Sequence, residues 1–173
     1  MEEEILDVVD ENDNFVRKAT RKEVRERVLL HRVSRVIIKN NKNEFLVQRR
    51  SKNKKTFPSH WDIGVAETVK SGEGYVSAAI RGLMEELEII GISNIQLMHS
   101  FLFKIKYNSP QTNEFCKVYK ILYNGKIKTQ EEEIEDIKFS KLEELNTLIQ
   151  NDLFHPIGKL AFEKYLEINH NND

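Results

Sequence analysis

Apolar pairs separated by polar turns open the chain and predict two hairpins with a short helix between them. Residues 5–16 place apolar side chains on both sides of the polar turn DENDN, a pattern typical of strand, turn and strand. Thr20 and Glu23 then form a capping box, which predicts a short basic helix that ends near Arg27. The β-branched segment VSRVIIK and the segment FLVQRR flank the turn NNKNE and predict the second hairpin.

The remaining periodic segments predict further strands around one central helix, with more helix at the end. The segments IGVAETV, SFLFKIKY, FCKVYKILY and IEDIKFS have strand patterns. KLEELNTLI and IGKLAFEKYLEI place apolar residues three and four apart, which predicts amphipathic helices. We therefore expect one α+β domain over residues 1–173, with a mixed sheet between helical layers. Residues 1–30 would form the N-terminal hairpin and short helix, and residues 31–173 the core.

The central helix is predicted from about Tyr75 to Ile90, with Gly91 as its stop signal. At about 100° per residue, its apolar side contains Val76, Ala79, Ile80, Leu83, Met84, Leu87 and Ile90. Its polar side contains Arg81, Glu85, Glu86 and Glu88, with Gly82 lying between Glu85 and Glu86. A solvated acidic face is the ordinary interpretation of such a run. However, a glycine inside a helix costs about 0.5–1 kcal/mol relative to alanine, which favours a packing or site requirement over drift.

Composition narrows the partners and the compartment. The chain has 173 residues, 39% of them hydrophobic and 32% charged, which is typical of a globular protein. The net charge of −1 gives no overall field for nucleic acid or a membrane surface. The single cysteine, the acidic N-terminus and the lack of an apolar run of about 20 residues fit a cytoplasmic protein. We expect neither a nucleic-acid nor a membrane partner, and homodimerisation stays open.

The segment from Glu67 to Ile89 resembles a Nudix box, whose pattern is G-x5-E-x7-R-E-U-x-E-E-x-G-U with U aliphatic. The matching positions are Glu73, Arg81, Leu83, Glu85, Glu86 and Ile89. The segments before and after the box are similar to those that flank it in the family. Both ends of the chain resemble the subgroup related to type 1 isopentenyl diphosphate isomerases. The resemblance implies a Nudix-type α/β/α sandwich that uses Mg²⁺ or Mn²⁺ to cleave a nucleoside diphosphate derivative, a small phosphorylated substrate.

Three departures make this a degenerate Nudix box. Glu67 replaces the first glycine, Gly82 replaces the first helix glutamate, and Glu88 replaces the last glycine. The resemblance implies that the carboxylate missing at position 82 helps to bind the metal and to organise the attacking water. It also implies that Glu85 and Glu86 are catalytic metal ligands, together with the main-chain carbonyl of Ala66. Two such glutamates are enough for Mg²⁺, which usually takes one or two protein carboxylates.

Other residues have supporting roles in this interpretation. By resemblance, Glu73 and Arg81 brace the loop against the helix and hold the metal ligands in place. A replacement for the missing carboxylate could come from Glu67 or from the acidic run at 131–133. Arg49 and Arg50 are candidates for substrate phosphate, and strand alternation allows at most one of them to face the site. The neighbouring lysines have the simpler interpretation of a solubilising loop.

Three functions remain open at this stage. The first is a Nudix-type hydrolase, weakened by Gly82. The second is a Nudix-fold protein that binds a phosphorylated ligand without turnover. The third is an isopentenyl diphosphate isomerase, for which His31 resembles a metal-binding histidine. However, Ala66 and Thr68 stand where those isomerases have a cysteine and a histidine, and the isomerase interpretation is therefore the weakest.

Overall fold

The structure is a computed structural model, and it describes residues 3–92, 97–108, 111–151 and 153–170. The elements in chain order are β1 (Ile5–Val9), β2 (Phe15–Thr20), α1 (Arg21–Glu26), β3 (His31–Lys39), β4 (Phe45–Arg50), β5 (Trp61–Ile63), β6 (Val65–Thr68), α2 (Tyr75–Leu87), β7 (Met98–Asn108), β8 (Gln111–Leu122), β9 (Ile134–Ser140), α3 (Leu142–Ile149) and α4 (Pro156–His170). The predicted mixed α+β class is confirmed. The capping box is present at α1, where the Thr20 hydroxyl accepts from the Glu23 amide at 3.1 Å.

The main sheet is mixed and has β3 near its centre. Its strands run in the order β5-β4-β3-β8-β7, while β6 pairs with β3 and β9 pairs with β4. β3 and β8 are parallel, and the other pairs are antiparallel. β1 and β2 form a separate two-stranded sheet. Because β6 is hydrogen-bonded to β3, residues 66–68 have a fixed position next to α2.

Alternating residues of β3 bury both faces of the sheet. Val36 and Ile38 face the layer that contains α2, whereas Ile37 faces the layer that contains α3 and α4. Strands covered on both faces read as nearly continuous apolar runs, which explains the segment VSRVIIK. The sheet therefore lies between helical layers, as the sequence predicted.

Two predicted boundaries were wrong. The segment IGVAETV is two strands, because Gly64 adopts φ +59° and a Cβ there would lie 1.9 Å from the Val36 carbonyl oxygen. The helix α2 ends at Leu87 instead of Ile90, since Glu88 adopts the left-handed conformation with φ +48°. Met84 and Ile90 were assigned to the buried stripe but are 49% and 75% exposed.

One aspartate in the turn of the N-terminal hairpin bonds to two elements of the core. Asp13 accepts from Arg32 Nε of β3 at 2.6 Å and from the Tyr75 hydroxyl at the start of α2 at 2.9 Å. Asp13 therefore ties the hairpin to both the sheet and the helix. Among the described residues, no helix is long and apolar enough to cross a membrane.

Candidate active site

A cleft of about 1050 Å³ runs along one end of the main sheet. One wall is formed by β6 and α2, a second by the basic loop after β4, and a third by the acidic segment before β9. Its inner end reaches the starts of β3, β8 and α4. The residues that line it include Ala66, Glu67, Arg81, Glu85, Glu86, Arg50, Lys54, Glu132 and Glu133. The fold thus brings the acidic helix and the basic loop to one cleft.

Arg81 holds the loop and the carboxylates together. Its Nε and one terminal nitrogen donate to both oxygens of Glu73, at 3.0 and 2.9 Å, and that nitrogen also donates to the Thr68 carbonyl at 2.9 Å. The other terminal nitrogen contacts Glu67 at 3.1 Å and Glu85 at 3.4 Å. Planar guanidinium groups suit this multidentate role. Arg81 therefore fixes β6, the loop that follows it and α2 relative to one another.

The surroundings of Glu86 disfavour its charged form. It accepts a hydrogen bond from Gln48 Nε2 at 3.2 Å. Burial, followed by the negative charge of Glu67, raises the pKa of Glu86 to about 7. A carboxylate placed in such a site favours a nearby positive charge, because a cation would offset both causes of the shift.

Glu67 lies against Gly82, so the first two departures from the family pattern meet in space. A Cβ at Gly82 would lie 3.0 Å from Val65 Cγ1 and 3.1 Å from Glu67 Cβ. Gly82 is buried, and the face of α2 that carries it packs on β6. This contact supplies the packing requirement that the glycine inside the helix indicated. Burial raises the pKa of Glu67 although the neighbouring Arg81 opposes the shift.

The basic residues divide between two faces of β4. Arg50 lines the cleft, where its guanidinium donates to the carbonyls of Phe57 and Thr56 at 3.2 and 3.1 Å. Arg49 lies on the other face, 3.6 Å from Glu135. Lys54 also lines the cleft and contacts Glu133. Sequence analysis missed Lys54, because a lysine in a basic loop carries no signal that distinguishes a site residue from a solubilising one.

A buried polar group at the inner end of the cleft was also missed. Arg35 and Asp62 form an ion pair at 2.7 Å with side chains that are only 3% and 2% exposed. The signal that could have found Arg35 is a charged residue in the middle of the apolar segment VSRVIIK. His31, Glu114 and His155 line the same end of the cleft.

The carboxylate wall fits a hard divalent cation. It offers the carboxylates of Glu67, Glu85 and Glu86 beside the main chain at Ala66, and oxygen ligands are those that Mg²⁺ and Mn²⁺ prefer. Gln48 Oε1 is buried with no hydrogen-bond partner among the described residues, next to Glu86. In the described part of the chain, no three His, Cys, Asp or Glu side chains are grouped to hold a metal.

Comparison with known proteins gives a family and a fold. The family model of the NUDIX domain matches residues 29–160. An uncharacterised Nudix hydrolase of Pseudomonas aeruginosa is 33% identical over 141 residues, which cover 81% of this chain and 80% of that protein. The isopentenyl-diphosphate delta-isomerase of Schizosaccharomyces pombe is 30% identical over 188 residues and covers 95% and 82%. A crystal structure from Deinococcus radiodurans matches with a TM-score of 0.71 at 24% identity, covering 92% and 98%, and supports the predicted fold.

Proposed function

This chain belongs to the NUDIX domain family, and from that premise we propose that it hydrolyses the diphosphate of a nucleoside diphosphate derivative with Mg²⁺ or Mn²⁺. The observation that carries the proposal is the meeting of Glu67, Glu85 and Glu86 with Arg50 and Lys54 in one cleft. Carboxylates suit a divalent cation, and the basic residues suit the phosphates of the substrate.

Each group has a defined task in this proposal. Glu85, Glu86 and the Ala66 carbonyl would hold the cation, while Arg81 keeps their supporting elements in register. The chemistry that Mg²⁺ or Mn²⁺ supplies when bound is to acidify the attacking water and to neutralise charge on the phosphates. Lys54 exchanges its contact with Glu133 for a phosphate oxygen. Arg50 donates to phosphate with the N–H groups that its two carbonyl contacts leave free.

Glu67 replaces the carboxylate that the family pattern puts at position 82. A side chain at position 82 would enter the space that Glu67 fills, and the negative charge of Glu67 contributes to the raised pKa of Glu86. The glycine and the glutamate have thus exchanged places across the contact between β6 and α2. The charge of the site is kept, although the carboxylate comes from a strand instead of a helix.

The test measures phosphate release from a set of nucleoside diphosphate derivatives with Mg²⁺ or Mn²⁺. We expect Glu86→Gln to lower turnover by at least about 100-fold, because it removes a carboxylate that would hold the cation, and changes in the groups around metal ligands already cost about 10–100-fold. Glu88→Gln is the matched control, because it removes a half-exposed carboxylate just beyond the end of the same helix. If Glu86→Gln retains full turnover, or if the control loses as much, the site is misassigned.

The exchange between positions 67 and 82 has its own test. Gly82→Glu alone should lower turnover and Mn²⁺ affinity, because the added side chain collides with Glu67. Glu67→Gly alone should also lower both, and the double variant should exceed either single variant. Electron paramagnetic resonance of bound Mn²⁺ reports affinity without turnover. Gains from Gly82→Glu in the presence of Glu67 would contradict the exchange.

The binding-protein alternative predicts a different result from the same assays. It requires saturable binding of a phosphorylated ligand with no turnover in the wild type or in any variant. The isomerase alternative needs a reactive thiol beside the cleft, and position 66 is alanine. Cys116 is fully buried, and burial raises the pKa of its thiol to about 12. Interconversion of isopentenyl and dimethylallyl diphosphate would nevertheless restore that alternative.

A further inference from the structure

The inner end of the cleft is polar, but its buried arginine is already paired with an aspartate. Arg35 donates to Asp62 at 2.7 Å and to the Ile63 carbonyl at 2.9 Å, which neutralises the guanidinium. Burial raises the pKa of Glu114, and burial lowers the pKa of His155 to about 4. The His155 ring is therefore neutral near pH 7. Two cations that suit phosphate, Arg50 at the end of β4 and Lys54 in the loop after it, line another part of the cleft.

Hydrogen-bonding groups remain free along this wall. Asn113 Oδ1 is buried and has no partner within the part of the chain that the structure describes. His155 Nδ1 accepts from the Gly158 amide at 3.3 Å, so the proton of the neutral ring lies on Nε2, which becomes a donor. Glu114 accepts from the Thr112 hydroxyl at 3.2 Å, and its remaining lone pairs can accept from a ligand.

One aromatic side chain borders the same space. Phe57 lines the cleft and contacts the His155 ring edge-on, with centroids 4.5 Å apart. It belongs to the loop that also carries Lys54 and to which Arg50 is bonded through the Phe57 carbonyl. A ligand that reaches Phe57 from the carboxylates would therefore pass the basic groups on its way.

We propose that the inner end of the cleft binds an uncharged, hydrogen-bonding ring, the nucleobase of a substrate whose diphosphate lies between the carboxylates and Lys54. The proposal rests on the proposed function and deepens it by dividing the cleft into a phosphate region and a base region. A planar heterocycle offers both donors and acceptors to Asn113, Glu114 and His155 and a π-face to Phe57. The cleft of about 1050 Å³ is large enough for a nucleotide.

A hydrocarbon tail is the rival occupant, and the wall disfavours it. An apolar chain would displace water from Asn113, Glu114 and His155 without forming hydrogen bonds to them, which is unfavourable. A phosphate is disfavoured there as well, because Arg35 is committed to Asp62. The cleft therefore selects against isopentenyl diphosphate at the end opposite to the metal ligands.

The experiment measures binding by calorimetry with ligands that resist hydrolysis, so that its outcome is independent of turnover. The ligands are the α,β-methylene analogues of ADP and CDP, methylenediphosphonate as the form without a nucleoside, and isopentenyl diphosphate, all with Mg²⁺. We expect at least one nucleoside analogue to bind about tenfold or more tightly than methylenediphosphonate and isopentenyl diphosphate, because sites that hydrogen-bond a ligand reject analogues that lack its polar groups.

Two variants locate the base region. Asn113→Ala and Glu114→Gln should each weaken the nucleoside analogue by about two- to tenfold and leave methylenediphosphonate unchanged. Glu114→Gln preserves the shape of the side chain, so it still tests the base region if Asn113→Ala fails to fold. Lys164→Ala, on the outer side of α4, is the control. Equal affinity for the forms with and without a nucleoside would overturn the proposal, as would tighter binding of isopentenyl diphosphate or an equal loss for both ligands. Base-dependent binding without phosphate release would contradict the proposed hydrolase activity but not the proposed base region.

Discussion

At the scale of single residues, Glu88 shows why the family pattern has a glycine where this chain does not. Glu88 ends α2 with φ +48°, and its amide donates to the Leu83 carbonyl. The next amide, that of Ile89, also donates to Leu83 at 3.0 Å, and the Ile89 side chain is buried. Both amides thus satisfy the same carbonyl at a helix end whose left-handed position is usually glycine. Glutamate adopts it at a cost.

We therefore predict that Glu88→Gly stabilises the protein by about 0.5–1 kcal/mol, because glycine has no Cβ penalty at positive φ. The ion pair with Lys128 at 3.2 Å is exposed and its loss subtracts little. Urea denaturation measures the change. Glu88→Ala is the control, since it loses the same ion pair but keeps the left-handed strain, and it should bring no gain. Equal effects of both variants would show that strain is absent.

At the scale of elements, the start of α4 packs directly on the buried ion pair. A Cβ at Gly158 would lie 1.9 Å from Asp62 Oδ1 and 3.0 Å from its Cγ. Asp62 cannot easily move, because Arg35 and the Ile63 amide bind it at 2.7 and 2.8 Å. The helix approaches β5 this closely only because position 158 has no side chain.

Two effects compete in Gly158→Ala, and their magnitudes decide the sign. Helix propensity alone would stabilise by about 1 kcal/mol, whereas overpacking a fixed buried site destabilises by about 1–3 kcal/mol or more. We predict a net loss, measured as a lower midpoint of urea unfolding. Gly74→Ala is the matched control, because its added methyl group meets no atom within 4 Å. A gain in stability for Gly158→Ala would mean that α4 lies farther from Asp62.

At the scale of the whole molecule, His155 makes stability depend on pH. It lies in the cleft between α4 and β5, 3.9 Å from Asp62, and burial lowers its pKa to about 4. The unfolded chain therefore binds more protons than the folded chain between about pH 6.5 and 4. Stability contributed by the neutral ring is present above pH 6.5 and is lost as the pH falls toward 4. The loss is about 3 kcal/mol at most.

We predict that His155→Gln flattens this dependence. The unfolding free energy of the wild type, measured by urea denaturation from pH 7 to 4, should fall more steeply than that of the variant. The raised pKa values of Glu67, Glu86 and Glu114 act in the opposite sense, so the difference between the two proteins isolates His155. Parallel curves would contradict a buried neutral histidine.

Much of the fold was predictable because it follows from local patterns. Thr20 and Glu23 cap α1, and alternation in VSRVIIK buries both faces of β3. The end of α2 was not predictable from periodicity, since Ile90 keeps the helical spacing although Glu88 has already left the helix. Within the site, Arg81 and Glu85 are four residues apart on one helix, and this spacing alone predicts their contact. Lys54, in contrast, lies in the cleft because of the course of the loop after β4, which no periodic pattern in the sequence predicts.

The sequence by itself determined the strand and helix periods, the carboxylates on α2 and the glycine that interrupts them, because these depend on neighbours within one or two turns. Only the tertiary structure decided that Gly82 faces Glu67, that Arg50 and not Arg49 lines the cleft, and that Arg35 meets Asp62. The physical reason is that each of these contacts joins elements distant in the chain. The pairing of β6 with β3, and the packing of α2 on β6, set their distances.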